Sequence, residues 1–377
     1  MTETEKKPAE HRVTRRTVVK GVAWSVPAIA LASAAPAMAQ SCSQSGEHRA
    51  PRPTLTGKQD TGAMTTTWPV PAGVHELYFE VVGAPGGAVS GFFNSRAMKV
   101  TGRLTVTPGE VLTLVVGQGG YFVDTQTSPS SGWYSGSAGG RGFGDGGSNL
   151  YTPVAGLSAW NAGGSGGGGS AIVASDGSPL VVAGGGGGIG KQQAMVPSTA
   201  GNWWNAPIDN PEGGGWQAYQ EGTDRKQSVA HGKWGTTSAV GAGGDGNWGT
   251  AWGTTTHELR WDSGLSGLAG PRGNGADARN RVHWTQDSSY ANVGVQLAAG
   301  AGGGGYNGGG SGALHAADYD YRLSNWTVAA IGGEGGHGGC FADAARAANV
   351  DLTLRSPAEE VAQNRRAPGF ILLRWTC

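Results

Sequence analysis

The chain has 377 residues, of which 71 are glycine and only 14% are charged; average usage is about 7% glycine and about 25% charged. Its 27 basic and 27 acidic residues cancel, which leaves no net electrostatic grip on nucleic acid or an anionic membrane. Glycine does not recur strictly every third residue with abundant proline, which excludes collagen, and 14 Trp, nine Tyr and seven Phe are too many aromatics for a plain linker.

Residues 1–39 read as an export address. Arg15-Arg16 followed by Val18-Val19 and Lys20 precedes a mildly apolar run from Gly21 to Ala35, the twin-arginine pattern. The run ends in Ala37-Met38-Ala39, a small-x-small cleavage site that predicts cleavage after Ala39. It is short, with Pro27 inside it and Pro36 directly after it, so a permanent membrane span is the weaker reading and no stable span is expected after cleavage. Cleavage removes six of the 27 basic and three of the 27 acidic residues, a formal net charge of −3, and takes one glycine. All three cysteines, Cys42, Cys340 and Cys377, lie beyond this point, where a disulfide is permitted. An odd count leaves one thiol over. Cys42–Cys377 is favoured because domain termini are often close; Cys340–Cys377 is the rival.

Residues 40–63 are polar and read as a lead-in to a β domain over 64–377. Glu76 to Val82 alternates, with Leu77, Phe79 and Val81 on one face. Met98 to Val106 is a second strand, Pro108-Gly109 a turn, and Val111 to Val116 a third strand with Leu112, Leu114 and Val116 together. The middle, 117–340, alternates short apolar runs with glycine tracts. Ala171–Ala174 and Leu180–Ala183 flank the hairpin turn Asp176-Gly177-Ser178-Pro179. Val293–Ala298 and Trp326–Ile331 lead into further tracts. Ala342–Ala348 and Pro357–Gln363 are the helix-like stretches, and Phe370–Trp375 is a closing strand. The tracts read either as coil or as packed polyglycine II helices. Packing is preferred, because strands anchor the tracts and Trp216, Trp248 and Tyr306 interrupt or follow them.

The stretch Trp68-Pro69-Val70-Pro71-Ala72-Gly73-Val74, running on to Val82-Gly83-Ala84-Pro85-Gly86-Gly87, resembles the opening of secreted bacterial glycine-rich proteins. So does Leu104-Thr105-Val106-Thr107-Pro108-Gly109-Glu110 with Leu112–Val116 and Gly117-Gln118-Gly119-Gly120. The tracts Gly184–Gly188 and Gly302–Gly305, and the strand Phe370–Trp375, complete a pattern that covers most of 64–377. The same arrangement is similar to the glycine-rich ectodomain of receptor tyrosine kinases of the anaplastic lymphoma kinase type, and some phage adhesin tips use similar glycine packing. The resemblance implies an all-β fold, a β-sandwich of jelly-roll or tumour-necrosis-factor-like shape, with glycine-rich insertions folded as polyglycine II helices. It implies a binding or structural role and transfers no ligand.

Motifs that glycine-rich text generates are discounted. Gly185-x-Gly187-x-x-Gly190 imitates a dinucleotide fingerprint but is followed by no convincing helix, and Gln192 stands where a phosphate loop needs Ser or Thr. Gly139 to Asp145 approaches a calcium-binding repeat but does not recur. The histidines show no metal spacing. No catalytic residue, cofactor or metal is therefore expected, and a secreted hydrolase is the weakest reading. The suggestive feature is tryptophan: Trp203, Trp204, Trp216, Trp234, Trp248 and Trp252 crowd one segment, 203–261, poor in aliphatics. Exposed, they would suit a cell-surface glycan or protein partner; packed, they would lie against glycine tracts. The expectation is an exported, non-enzymatic surface or extracellular protein with a structural or adhesive role, and the alternative is a carbohydrate- or cell-wall-binding module using 203–261.

Overall fold

In the computed structural model the chain divides into Met1–Ala39 and Gln40–Cys377. The residues described are 45–53, 62–87, 96–121, 137–150, 159–160, 163–190, 192–195, 203–207, 215–220, 226–230, 232–242, 260–262, 272–284, 294–319, 327–355 and 366–376. They form strands and no helix. In chain order these are β1 (Gly46–Arg49), β2 (Met64–Pro69), β3 (Glu76–Val82), β4 (Met98–Thr105), β5 (Val111–Val116), β6 (Ala159–Trp160), β7 (Ser170–Val173), β8 (Pro179–Ala183), β9 (Gln192–Met195) and β10 (Trp203–Pro207). There follow β11 (Gly215–Gln220), β12 (Lys226–Ala230), β13 (Arg260–Asp262), β14 (Asn280–Trp284), β15 (Gly294–Ala298), β16 (Leu314–Tyr319), β17 (Thr327–Gly332), β18 (Phe341–Ala342), β19 (Ala347–Leu354) and β20 (Phe370–Trp375).

Two five-stranded antiparallel sheets, β1-β20-β3-β4-β19 and β18-β8-β7-β5-β2, enclose the main core in a sandwich-like arrangement. The alternation seen in the sequence sets their inner faces. Leu77, Phe79 and Val81 from β3 and Val100 and Leu104 from β4 meet Leu112, Leu114 and Val116 from β5 and Ile172 and Val181 from β7 and β8; all are fully buried. Each such side chain contributes about 1.5–3 kcal/mol. Trp68 closes one end, stacked on His48 at 5.2 Å and tilted against Trp375 at 5.7 Å. Two glycines in strands make room for aromatics across the ladder: Gly102 lies opposite Phe79, and Gly46 opposite Trp375. A Cβ on Gly102 would come within 2.8 Å of the Phe79 ring. Pro71 to Val74 and Thr107 to Glu110 are turns closed by i to i+3 hydrogen bonds of 3.2 and 2.9 Å. Gly73 and Gly109 hold φ near +80° at their third positions, the place where a type II turn calls for glycine.

Three assignments change. The lead-in 40–63 contains β1, whose partner is the last strand of the chain; its short polar text GEHR shows no periodicity. The interval 117–340 is not purely an insertion, since β7 and β8 within it belong to the sandwich. Ala342–Ala348 is not a helix: a single turn over 344–346 joins β18 to β19, with Ala345 N–H donating to the Asp343 carboxylate at 3.0 Å. Arg346 then forks onto Glu110 at 2.7 and 2.8 Å, and pairing with β4 takes the backbone that a longer helix would have used. Pro357–Gln363 lies outside the described residues.

The glycine tracts leave the sandwich at one end, where β3, β5 and β8 finish and β4, β7, β18 and β20 begin. They run side by side and bond backbone to backbone. In the tract 184–190, Gly185 and Gly188 donate to Gly304 and Ala301 at 2.7 and 2.8 Å. Gly186 and Ile189 donate to Ala84 and Gly87 at 2.9 and 3.0 Å, while Gly338 and Gly335 donate back to Gly185 and Gly188 at 2.9 Å each. Every pairing advances three residues in both tracts. The packing repeats with the same step: Gly184, Gly187 and Gly190 lie against the carbonyls of Gly338, Gly335 and Gly332, and Gly185 and Gly188 against those of Gly167 and Gly164. A Cβ at any of these would fall well inside 3.0 Å of a neighbouring backbone. Arg366, fully buried, enters this body, donating to the carbonyls of Gly119 at 3.0 Å and Ala138 at 2.8 Å.

Gly185→Ala is therefore expected to lower stability by about 3 kcal/mol or to prevent folding, because the new methyl meets backbone that cannot rotate away. Gly62→Ala, with nothing within 4 Å, is the tolerated control. Urea unfolding followed by near-ultraviolet circular dichroism measures both, and equal midpoints would refute the close packing.

Candidate functional site

The tract 332–340 reads Gly-Gly-Glu-Gly-Gly-His-Gly-Gly-Cys, so Glu334, His337 and Cys340 recur every third residue. Its glycines pack on two sides. Gly332, Gly335 and Gly338 lie against Ala298, Ala301 and Gly304, while Gly336 and Gly339 lie against Lys233 and Thr236. The second neighbour is the stretch 232–242, within the tryptophan-rich segment, and it is stitched down with the same three-residue step. Gly232 donates to Glu334 O and Gly235 to His337 O, both at 2.8 Å. Gly310 donates to Lys233 O at 3.0 Å, Gly241 to Gly308 O at 2.8 Å, and the Asn307 amide to Thr236 O at 2.7 Å. Lys233 and Thr236–Ala239 stay exposed on this support.

Trp234 is half-buried, and its ring meets His337 edge-on with centroids 5.0 Å apart. His337 is buried, and among the described residues its Nδ1 has no hydrogen-bond partner. Burial lowers its pKa to about 4; a backbone hydrogen bond at Arg96 opposes this and the Arg96 charge adds to it. Beside it, Cys340 accepts from Gly184 N–H at 3.5 Å, and burial pushes its thiol up to about 11. On the other face of the β2–β18 sheet, Tyr306 stacks on Phe341 at 4.4 Å and both pack against Val115, Val173 and Val182.

The residues singled out in the sequence are placed unevenly. Arg15, Arg16, Ala39, Cys42, Cys377, Trp248 and Trp252 lie outside the described residues. Trp203 and Trp204 fall in β10 and Trp216 in β11, in the three-stranded antiparallel sheet β10-β11-β12. Its register sets Trp204 opposite Tyr219, and Trp216 opposite Pro207. Strand alternation thus separates positions 203 and 216 on one face from 204 and 219 on the other. Trp234 is the member of the set with a described side chain, and it is anchored to the glycine body. The Glu334-His337-Cys340 row escaped the sequence reading, although its Gly-Gly-x period was the available signal.

The glycine-rich imitations of phosphate sites are explained by the same packing. The N–H groups of Gly185, Gly186, Gly188 and Ile189 are bonded to other tracts. In the calcium-like stretch Asp145 pairs with Arg141 and accepts from Gly142 N–H at 3.0 Å. No protein-family model and no curated protein matches the chain.

Because His337 is held neutral, the unfolded chain takes up a proton first as pH falls below 6.5. Stability should fall from pH 6.5 towards 4, by about 3 kcal/mol if the full shift is realised. His48, whose pKa burial also lowers, acts in the same direction. His337→Phe keeps a ring against Trp234 and removes the titration, so it should flatten most of the slope between pH 6.5 and 5 in urea unfolding. An unchanged slope would place the effect elsewhere.

Proposed function

We propose that this is an exported, non-enzymatic cell-surface or extracellular protein with a structural or adhesive role. Its glycine tracts are polyglycine II helices carried on a sandwich of jelly-roll or tumour-necrosis-factor-like shape. The observation that carries the reading is the three-residue step shared by the hydrogen bonds and the close backbone approaches in every tract pairing of 184–190. Extended threefold helices have that period, and glycine alone permits their backbones to touch. Such a body is a stiff support assembled from backbone, with 232–242 fastened to it as the base from which the tryptophan-rich segment is displayed. The twin-arginine pattern at Arg15-Arg16 and the cleavage site at Ala39 support export. Among the described residues no helix is long and apolar enough to cross a membrane.

A carbohydrate- or cell-wall-binding module is the second reading, and one observation favours it: Trp203, Trp204 and Trp216 fall in one small sheet. Two measurements test these readings. Arg15→Lys with Arg16→Lys should leave uncleaved full-length chain inside the cell, whereas the parent is recovered outside the cytoplasm with Gln40 at its N-terminus. Recovery of processed double variant at the parent level would overturn twin-arginine export. Purified parent chain is then applied to glycan arrays and isolated cell walls. Binding lost by at least tenfold in Trp203→Ala, Trp204→Ala and Trp216→Ala favours the module, and binding to cells that survives these changes favours adhesion through another surface.

A further inference from the structure

We propose that two copies of this chain associate through β19, pairing edge to edge and antiparallel about a two-fold axis at Thr353. The sandwich has four edge strands, and the other three are guarded. β18 has two residues, β1 has four and carries Glu47 and Arg49, and β2 ends on Pro69. Short length, charge and proline are the devices that keep a sheet edge from pairing with another chain. β19 runs for eight residues and is exposed from Ala348 to Leu354. Its bulge between Ala348 and Asp351, with Asn349 at φ 52°, protects only the first half. Beyond the bulge Asp351 is the one charge before Arg355, whose buried guanidinium donates to Pro368 O at 3.1 Å.

The side chains beyond the bulge extend the face that β4 turns to the core. The register sets Leu352 opposite Val100 and Leu354 opposite Met98, both of which pack in or against the main core. Asp351 and Thr353, opposite Thr101 and Lys99, alternate onto the outer face. Yet Leu352 is 51% exposed and Leu354 39%, and neither belongs to the main core. The main chain is open as well. Arg355 N–H donates to Ala97 O at 2.9 Å. Hydrogen-bonded pairs alternate along an antiparallel ladder, so Asp351 and Thr353 bond to β4. The N–H and C=O groups of Leu352 and Leu354 therefore point to the free edge, ready for another strand.

A second copy is the occupant because this edge is complementary to itself. In the register centred on Thr353, Leu352 exchanges main-chain hydrogen bonds with the partner's Leu354, and Leu354 with the partner's Leu352. The inner face then carries an unbroken apolar row from Val100 and Leu352 to the partner's Leu354 and the partner's Met98. Asp351 comes opposite the partner's Arg355, an opposite charge. The neighbouring registers lose these gains. Centring on Asp351 opposes two acids, which is destabilising, and centring on Leu352 draws Val350 out of the bulge. The two-fold pairing also closes, since each copy brings one such edge. A single strand edge buries less than the roughly 1,200–2,000 Å² of a standard interface, so the dimer is weak and dissociates in the micromolar range. Nothing in the pairing depends on what the protein binds.

The test is sedimentation velocity of the purified parent chain in reductant, from about 1 to about 200 μM. The expected result is one reversible step from monomer to dimer. Leu352→Lys and Leu354→Lys place a charge on the edge and should each weaken association by about tenfold or more, with the urea midpoint unchanged because both side chains are exposed. Val111→Lys, 44% exposed on the other sheet, should associate as the parent does. Thr353→Cys reads the register. Cα atoms of a non-hydrogen-bonded antiparallel pair lie about 4.5 Å apart, within disulfide reach. Under a glutathione couple this variant should give a peptide linked 353 to 353 by mass spectrometry, and Thr101→Cys on β4 should give no 101 to 101 link. A chain that stays monomeric throughout overturns the proposal and leaves the edge to another occupant. A trimer, a dimer indifferent to both lysines, or a dimer without the 353 link overturns it too.

Discussion

Backbone touching backbone is the interaction on which the rest of this structure depends. In an ordinary core, side chains separate the chains by several ångströms and the main chain satisfies itself within helices and sheets. Here the tract 184–190 spends its N–H groups on residues 84–87 and 301–304, and its carbonyls receive from 335–338. The backbones at Gly184, Gly187 and Gly190 lie so close to neighbouring carbonyls that a methyl has no place. Ordering glycine costs about 1–2 kcal/mol per residue. Lateral hydrogen bonds and weak C–H···O bonds must offset it, and they exist only when several tracts are present together. The body is therefore cooperative by construction, and the sandwich is what assembles it. The tracts 83–87, 117–121, 163–169 and 184–190 continue strands that the two sheets have already aligned, so their register is inherited from β3, β5, β7 and β8, while 299–313 joins β15 to β16.

That arrangement decides where side chains can appear. Positions between glycine pairs carry them, as with Glu334, His337 and Cys340, while the glycines themselves are committed to contact. The stretch 232–242, within the tryptophan-rich segment, obeys the same rule: Gly232 and Gly235 make the bonds, and Lys233, Trp234 and Thr236 are what remains to face outwards or to pack on His337.

Much of the sandwich was legible locally. Leu77, Phe79 and Val81, and Leu112, Leu114 and Val116, alternate as strands do, and Pro-Ala-Gly and Pro-Gly announce their turns. β1 was not legible, because GEHR has no pattern and its partner lies at the opposite end of the chain. Ala342–Ala348 misled because alanine favours a helix when nothing else intervenes; pairing to β4 and the Arg346–Glu110 fork intervene. The Gly-Gly-x period of 332–340 was present in the text but gains meaning only from the tracts on either side.

By itself, the sequence determined the β class, the strand faces and the turn glycines, since each is written within a few neighbouring residues. Only the tertiary structure decided that the glycines are contact surfaces, that Cys340 is sealed in the core, and that Trp234 rests on His337. Those facts depend on which distant tract lies alongside, and a glycine, having no side chain, carries no mark of its neighbour.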